Sequence, residues 1–232
     1  MAQSALHHEV FAERSALSGR LASLLPRARP DSLFALAQQA RFRTVAPGDA
    51  VYAQGDRVTL TFIQSGHAIS RRMTADGHPI MRAVGGAGLL FGFSALTETR
   101  SSVDIIAVTE CEVVYWPGDV LAPIFEGDSG LCLDAIASLA ASLHLMIEST
   151  EGFLHQDARR RVLRILARYR ELFFSEPAIL NRSHLPGLVG TTREMTGRVL
   201  RQLEKEGTLA RVGRAGLELL RPDRLLEGLD RA

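Results

Sequence analysis

Apolar positions recur along this 232-residue chain in three rhythms, and each predicts a different kind of element. Up to about residue 40 they fall at helical spacing. Leu17, Leu21, Leu24 and Leu25 make one face and Leu33, Leu36 and Ala40 another, with Pro26 and Pro30 breaking the run between them. From Phe42 to Tyr115 the apolar runs are short. Turn signals such as Pro47-Gly48-Asp49, Gly55-Asp56, Gly66 and Asp76-Gly77 separate them about every eight to twelve residues, the rhythm of a β-sandwich or barrel. Thr61 to Ile63 and Ala68 to Arg72 are expected as strands joined around Gly66, and Met73 to Met81 as a hairpin on Asp-Gly. The glycines of GGAG at 85 to 88 lack the Lys and the following helix of a P-loop, so they are expected as a turn.

Helical spacing returns from 128 to 156. Ile136, Leu139, Leu143, Met146, Thr150 and Phe153 alternate steps of three and four, a seam suited to a two-helix dimer contact or to packing on the chain's own β domain. Asp157 to Phe174 is expected as one amphipathic helix with Val162, Ile165, Leu166 and Tyr169 toward the core.

The stretch Asn181 to Glu206 reads as two short helices with a tight turn between them. Leu185, Leu188 and Val189 give the first an apolar face. Gly190 supplies the positive φ of a helix stop. Thr191 and Glu194 have the spacing of a capping box for a second helix, whose buried stripe is Val199, Leu200 and Leu203. The opposite face carries Arg193, Glu194, Arg198 and Arg201. Arg bonds guanine in a bidentate way and Glu accepts from cytosine, so this face suits a major groove. Pro186 is compatible with the first helix if that helix starts near Ser183, and kinks it if the start is Asn181. Thr208 to Val212 and Leu217 to Leu220 are expected as two strands of a wing hairpin, with Arg211 and Arg214 as candidate phosphate contacts, and Pro222 is expected to open a last short helix.

Charge supports this division. The net charge is +1, yet from Asp157 onward 16 Lys and Arg stand against 10 Asp and Glu, a basic third on an otherwise acidic chain that suits a nucleic-acid partner. Lys205 is the only lysine, a bias toward Arg rather than chemistry. No apolar run is expected to reach the length of a membrane span. The N-terminus has no signal-peptide core, and Cys111 and Cys132 make no disulfide framework; both imply a cytoplasmic protein with reduced thiols.

The run Gly190-Thr-Thr-Arg-Glu-x-x-Gly-Arg198 resembles the recognition-helix signature of the cyclic-AMP receptor protein and FNR family. Pro47-Gly48-Asp49, Gln54-Gly55 and Phe62-Ile63-x-x-Gly66, in that order ahead of it, resemble the family's cyclic-nucleotide-binding β-roll. The resemblance implies an α+β chain: a β-roll sensor domain over 1–127, a long dimerisation helix over 128–156 and a winged helix-turn-helix over 157–232. It implies a homodimeric transcription regulator, not an enzyme, that binds palindromic double-stranded DNA and contacts RNA polymerase. The loop from Phe174 to Leu180 is a candidate polymerase surface, and Thr192, Arg193, Glu194, Gly197, Arg198, Arg201, Arg211 and Arg214 are the candidate DNA contacts. An effector would shift the pose of the two DNA domains.

The family's phosphate cassette falls on Phe91 to Val103. Gly92, Arg100 and Ser101 match it, and an Arg fork suits a phosphate. Arg100 equally suits an ion pair with Glu98 or Asp104. The family's ribose-holding Glu is replaced by Phe93, which accepts no hydrogen bond. Counting back from Asp157, which resembles the family's hinge aspartate, places Met146 and Ile147 where cyclic-AMP receptors touch adenine with hydroxyls. A site built on hydrogen bonds rejects what it cannot pair, so cyclic AMP is not the expected ligand. A nucleotide-like or other small anionic effector, or none, is. A haem or gas sensor built on His7, His8, His67 and His144 is the alternative, and an iron–sulfur sensor lacks its cysteine cluster. No metal site and no catalytic constellation stand out.

Overall fold

The computed structural model describes residues 14–74, 77 and 79–225, with the backbone alone over 152–155. His7 and His8 lie outside the described residues, as do Asp76 of the hairpin turn and the side chain of Phe153.

Two helices come first, α1 (14–24) and α2 (Pro30–Gln39), broken where the prolines predicted. Eight strands follow: β1 (Arg41–Val45), β2 (Ala50–Tyr52), β3 (Leu60–Ser65), β4 (His67–Met73), β5 (Pro79–Gly86), β6 (Leu90–Phe91), β7 (Asp104–Ala107) and β8 (Cys111–Trp116). They form two antiparallel four-stranded sheets, in the orders β1-β8-β3-β6 and β2-β7-β4-β5. The chain changes sheet at Gly66, between β3 and β4. Its φ of 86° is one reason only glycine serves there; the other is space, since a Cβ would meet the carbonyl oxygen of Glu110 at 2.1 Å. Gly85 and Gly86 belong to β5, and the turn is made by Gly88 (φ 91°).

Helix α3 (Gly118–Glu126) and the start of α4 (Ser129–His155) cover the first sheet. Leu21, Leu36, Trp116, Leu121 and Leu131 form the core between them, and Trp116 donates its indole N–H to the carbonyl of Leu36 at 2.7 Å. Asp128 caps α4. Its carboxylate takes the backbone N–H of Gly130 and Leu131, and its other oxygen takes that of Arg29 at 2.8 Å. Asp134, six residues on, accepts from the backbone and guanidinium of Arg27. The α1–α2 loop is thereby stitched to the root of the long helix.

Beyond that root α4 is largely exposed, until Arg164 reaches back to the carbonyl of Glu148 at 3.2 Å. Residues 129–151 have a mean hydropathy of 1.7, with 17% of the most apolar window buried. This corrects the expectation about apolar runs: by length and composition the helix is long enough to cross a bilayer. Over 129–151 only Asp134, Glu148 and Glu151 carry a full charge, and the Ser residues among the other polar positions do little to offset the Leu, Ile and Ala between them.

The C-terminal part contains α5 (Ala158–Arg168), α6 (Arg170–Phe174), α7 (Leu185–Val189), α8 (Arg193–Lys205), the hairpin β9 (Leu209–Val212) and β10 (Gly216–Leu219), and a last turn of helix at 222–225. The single helix expected over 157–174 is broken at Tyr169 (φ −108°, ψ 31°). The break lets Phe173 join Val162, Leu163 and Leu166 in one core, while Tyr169 turns its hydroxyl elsewhere. Ile165 and Tyr169 are half-buried, and Leu163, which the helical pattern did not single out, is buried.

Candidate nucleic-acid interface and effector pocket

The interface is built from α7, α8 and the β9–β10 hairpin. Leu185, Leu188 and Val189 of α7 and Val199, Leu200 and Leu203 of α8 are buried against α5 and β9. These six side chains fix the angle between the two helices. Gly190 (φ 66°) stops α7, as its place in the sequence required. Helix α7 starts at Leu185 after His184, one residue past the expected Ser183 cap. Asn181 binds Ser183 through its own side chain, and Pro186 sits in the first turn, where its missing N–H costs nothing.

The cap of α8 is a correction. Thr192, not Thr191, is the N-cap, and its hydroxyl accepts from the N–H of Met195 at 3.1 Å. The residue three past the cap is therefore Met195, so no reciprocal box forms and Glu194 is released to the surface. Thr196 is buried and returns its hydroxyl to the carbonyl of Thr192.

On the open face, Arg193, Glu194, Arg198 and Arg201 are all exposed. Glu194 and Arg198 lie one turn apart and touch at 3.3 Å. Such a surface pair holds two side chains in a common plane at little cost to separate. Gly197 leaves the exposed surface low between them; a Cβ there would approach only Arg201, at 3.6 Å. In the hairpin, Arg214 is exposed beside the turn at Gly213 (φ 55°). Arg211 is held at 2.6 Å by Glu204 of α8, so a phosphate contact from Arg211 must displace that carboxylate. Arg159 is likewise held at 2.7 Å by Glu206, whose carboxyl the Arg159 hydrogen bond keeps below the usual range. Arg182 was not among the expected contacts. Its backbone N–H binds the carbonyl of Ala215, tying the start of the helix pair to the wing. The only sequence signal for it was an Arg beside Asn181.

The residues expected at the effector pocket are less closely gathered. Gly92 (φ 93°) has the carbonyl of Thr59 where a Cβ would go, at 2.2 Å. Phe93 turns into the helical core, edge-on to Phe125 at 6.4 Å. Arg100 is exposed and donates to the carbonyl of Gly55 at 2.7 Å; neither Glu98 nor Asp104 is its partner, Asp104 being bound by Arg71 at 3.0 Å. Ser101 is buried, and its hydroxyl is used by the carbonyl of Val103. Met146 and Ile147 project from the bare part of α4. Tyr52 packs on Phe91 inside the roll, and burial pushes its hydroxyl up to about 12. Within one chain, then, Arg100 and Ser101 on one side and Met146 and Ile147 on the other belong to different surfaces. His67 opens β4, where burial lowers its pKa, and His144 is exposed in mid-α4. Among the described residues no three His, Cys, Asp or Glu side chains cluster as metal ligands would.

Comparison with known proteins bears on both halves. Residues 42–128 match the family model of the cyclic nucleotide-binding domain, and residues 153–227 match that of the Crp-like helix-turn-helix domain. In sequence the chain is 22% identical over 175 residues to the HTH-type transcriptional regulator ArcR of Staphylococcus haemolyticus, covering 72% of this chain and 77% of that one. In structure it resembles FixK2 of Bradyrhizobium japonicum, with 19% identity and a TM-score of 0.69 over 81% of this chain and 96% of the other. It also resembles CLP, the c-di-GMP responsive global regulator of Xanthomonas campestris, with 24% identity and a TM-score of 0.69 over 83% and 100% of the two chains. A regulator assigned to the crp/fnr family from Eubacterium rectale gives 16% identity and a TM-score of 0.75 over 87% and 95%. At these identities the structural likeness is one of fold.

Proposed function

Because the chain belongs to the CRP/FNR family of transcription regulators, we propose that it is a homodimer that reads a palindromic duplex and whose effector is not cyclic AMP. The observation that carries the DNA reading is the polar face of α8: Arg193, Glu194, Arg198 and Arg201 stand exposed on a helix whose other face is locked into the core. Its first turns can enter a major groove, with Arg198 on a guanine and Glu194 on a cytosine. Arg214, and Arg211 once freed from Glu204, hold the flanking phosphates.

The dimer forms through α4. Ile136, Leu139, Leu143 and Met146 are 61%, 50%, 56% and 48% exposed in the single chain and share one stripe at coiled-coil spacing. An uncovered stripe of this kind needs a partner, and a second copy in parallel supplies one with two-fold symmetry. The same symmetry sets the two recognition helices about one DNA turn apart. In this reading the long helix over 128–156 divides a sensor domain from a DNA domain that begins at Asp157, whose side chain caps α5. The 174–180 loop meets RNA polymerase.

Cyclic AMP is a poor fit to the residues at the family's pocket. Phe93 lies in the core and offers no acceptor to a ribose, and Met146 and Ile147 offer a base no hydrogen bond. Arg100 and Ser101 keep the chemistry for an anion. Selection from a random duplex library tests the reading: an inverted repeat with half-sites one turn apart is expected, and enrichment of a single unrepeated site or of none overturns it.

A further inference from the structure

The two halves of the chain meet on the outer face of the second sheet. Val84 is on β5, the edge strand, and its otherwise unpaired N–H donates to the hydroxyl of Tyr169 at 3.2 Å. Met81 of β5 rests on Gly187 of α7, where a Cβ would come within 2.9 Å of its Cγ and Sδ. Beside this contact lies a cleft of about 320 Å³, at the small end of the range for ligand sites, roughly 300–1,000 Å³. Its apolar wall includes Ile69, Met81 and Ile106 from the sheet and Ile179 from the DNA-binding half. Its polar lining is Arg71, Asn181 and His184.

Hydrogen-bond accounting shows what those three have left to offer. Asn181 Oδ1 accepts from the backbone N–H and the hydroxyl of Ser183, at 2.9 and 2.6 Å, so its free end is the amide NH2. His184 Nδ1 accepts from the backbone N–H of Asn181 at 3.1 Å, which leaves the proton on Nε2. Arg71 uses Nε and Nη2 on Asp104 and keeps Nη1. The second oxygen of Asp104 takes the N–H of Gln54 at 2.8 Å. Each of the three thus has only donors to spare, above an apolar floor. The complement is a small molecule with an acceptor head and a greasy body of about one ring or a six-carbon chain.

We propose that this cleft binds a small amphipathic carboxylate, and that the ligand clamps the DNA-binding half onto the sensor sheet because each half supplies part of the wall. The consequence for DNA affinity rests on the reading above; the binding itself does not. Benzoate and hexanoate are suitable probes, with benzamide as the neutral control. The full chain, labelled at isoleucine methyls, is titrated with each. Saturable shifts of Ile69, Ile106 and Ile179 are expected with at least one carboxylate, about tenfold weaker with benzamide and about tenfold weaker in His184→Leu. No saturable shift up to about 10 mM with either carboxylate overturns the proposal. So does benzamide binding as well as benzoate, or shifts that map away from these three residues. Should His184→Leu not fold, the benzamide comparison on the wild-type chain decides alone. Binding of the selected duplex is measured on the same samples. Duplex binding without a carboxylate response refutes the cleft alone; the reverse refutes the DNA reading alone.

Discussion

If α4 pairs two copies as proposed, replacing Leu143 with Arg should give a monomer, and the exposure of the stripe sets the size of the effect. Fully burying a side chain such as Leu, Ile or Met is worth about 1.5–3 kcal/mol. Ile136, Leu139, Leu143 and Met146 are each roughly half exposed, so covering them is worth about 0.8–1.5 kcal/mol apiece. Two copies of the stripe then supply about 6–12 kcal/mol against an association cost of about 4–15 kcal/mol. The seam is thus close to balance, and one defect in it is felt. Leu143→Arg removes two such contributions, about 2–3 kcal/mol, and sets two guanidinium groups face to face in an apolar contact, which costs several more. A total of about 5 kcal/mol is more than three decades in dissociation constant. Sedimentation equilibrium at micromolar protein should show a monomer whose far-ultraviolet circular dichroism is unchanged. A folded variant that stays fully dimeric would refute the argument and place the interface elsewhere.

Three further outcomes follow from particular residues. Thr192→Ala should cost about 1 kcal/mol in denaturant unfolding while Thr191→Ala is nearly neutral, since only Thr192 caps α8; the reverse order would restore the capping box. Burial pushes the Asp128 carboxyl up, but the N–H groups of Arg29, Leu131 and Gly130 and the Ser32 hydroxyl outweigh it and bring it to about 2. Its folded pKa is depressed, so its contribution, about 2–3 kcal/mol, is present above pH ~4 and is lost as pH falls toward ~2. Wild type should lose that much more stability than Asp128→Asn between those limits, and parallel pH profiles would count against it. Calorimetric titration with cyclic AMP should give a dissociation constant of tens of micromolar or weaker, because about three hydrogen bonds worth roughly 0.5–1.5 kcal/mol each are missing; a value of a few micromolar with improved DNA binding would overturn the account of the pocket.

The parts of the fold that repeat a local rule were legible in the sequence. Glycine at positive φ marked Gly66 and Gly190, proline marked the break between α1 and α2, and the three-four spacing marked α4. What was not legible depends on tertiary competition. Thr191 and Thr192 are both acceptable caps, and the choice falls to the one that lets Thr196 be buried. The helical pattern runs through Tyr169 unbroken, yet the helix breaks there because Phe173 belongs in the core and the Tyr169 hydroxyl belongs to Val84. Arg100 was expected to suit an ion pair with Glu98 or Asp104; strand register instead places Arg71 opposite Asp104. The membrane-length apolarity of α4 was missed because its dispersed Ser residues disguise it. The candidate effector residues were the least legible, since they spread over a short helical turn packed into the core, a loop and the exposed stretch of α4.

The central claim is that α8 reads bases, and Arg198→Ala tests it most directly. The ion pair with Glu194 lost from the free protein is worth only a few tenths of a kcal/mol, so folding is not at issue. Competition binding is measured at fixed salt on the selected inverted repeat and on a scrambled duplex of the same length. Arg198→Ala should weaken the repeat by about 1–3 kcal/mol per half-site and leave the scrambled duplex nearly unchanged. Equal weakening of both would mean that Arg198 holds phosphate and that this helix does not read the sequence.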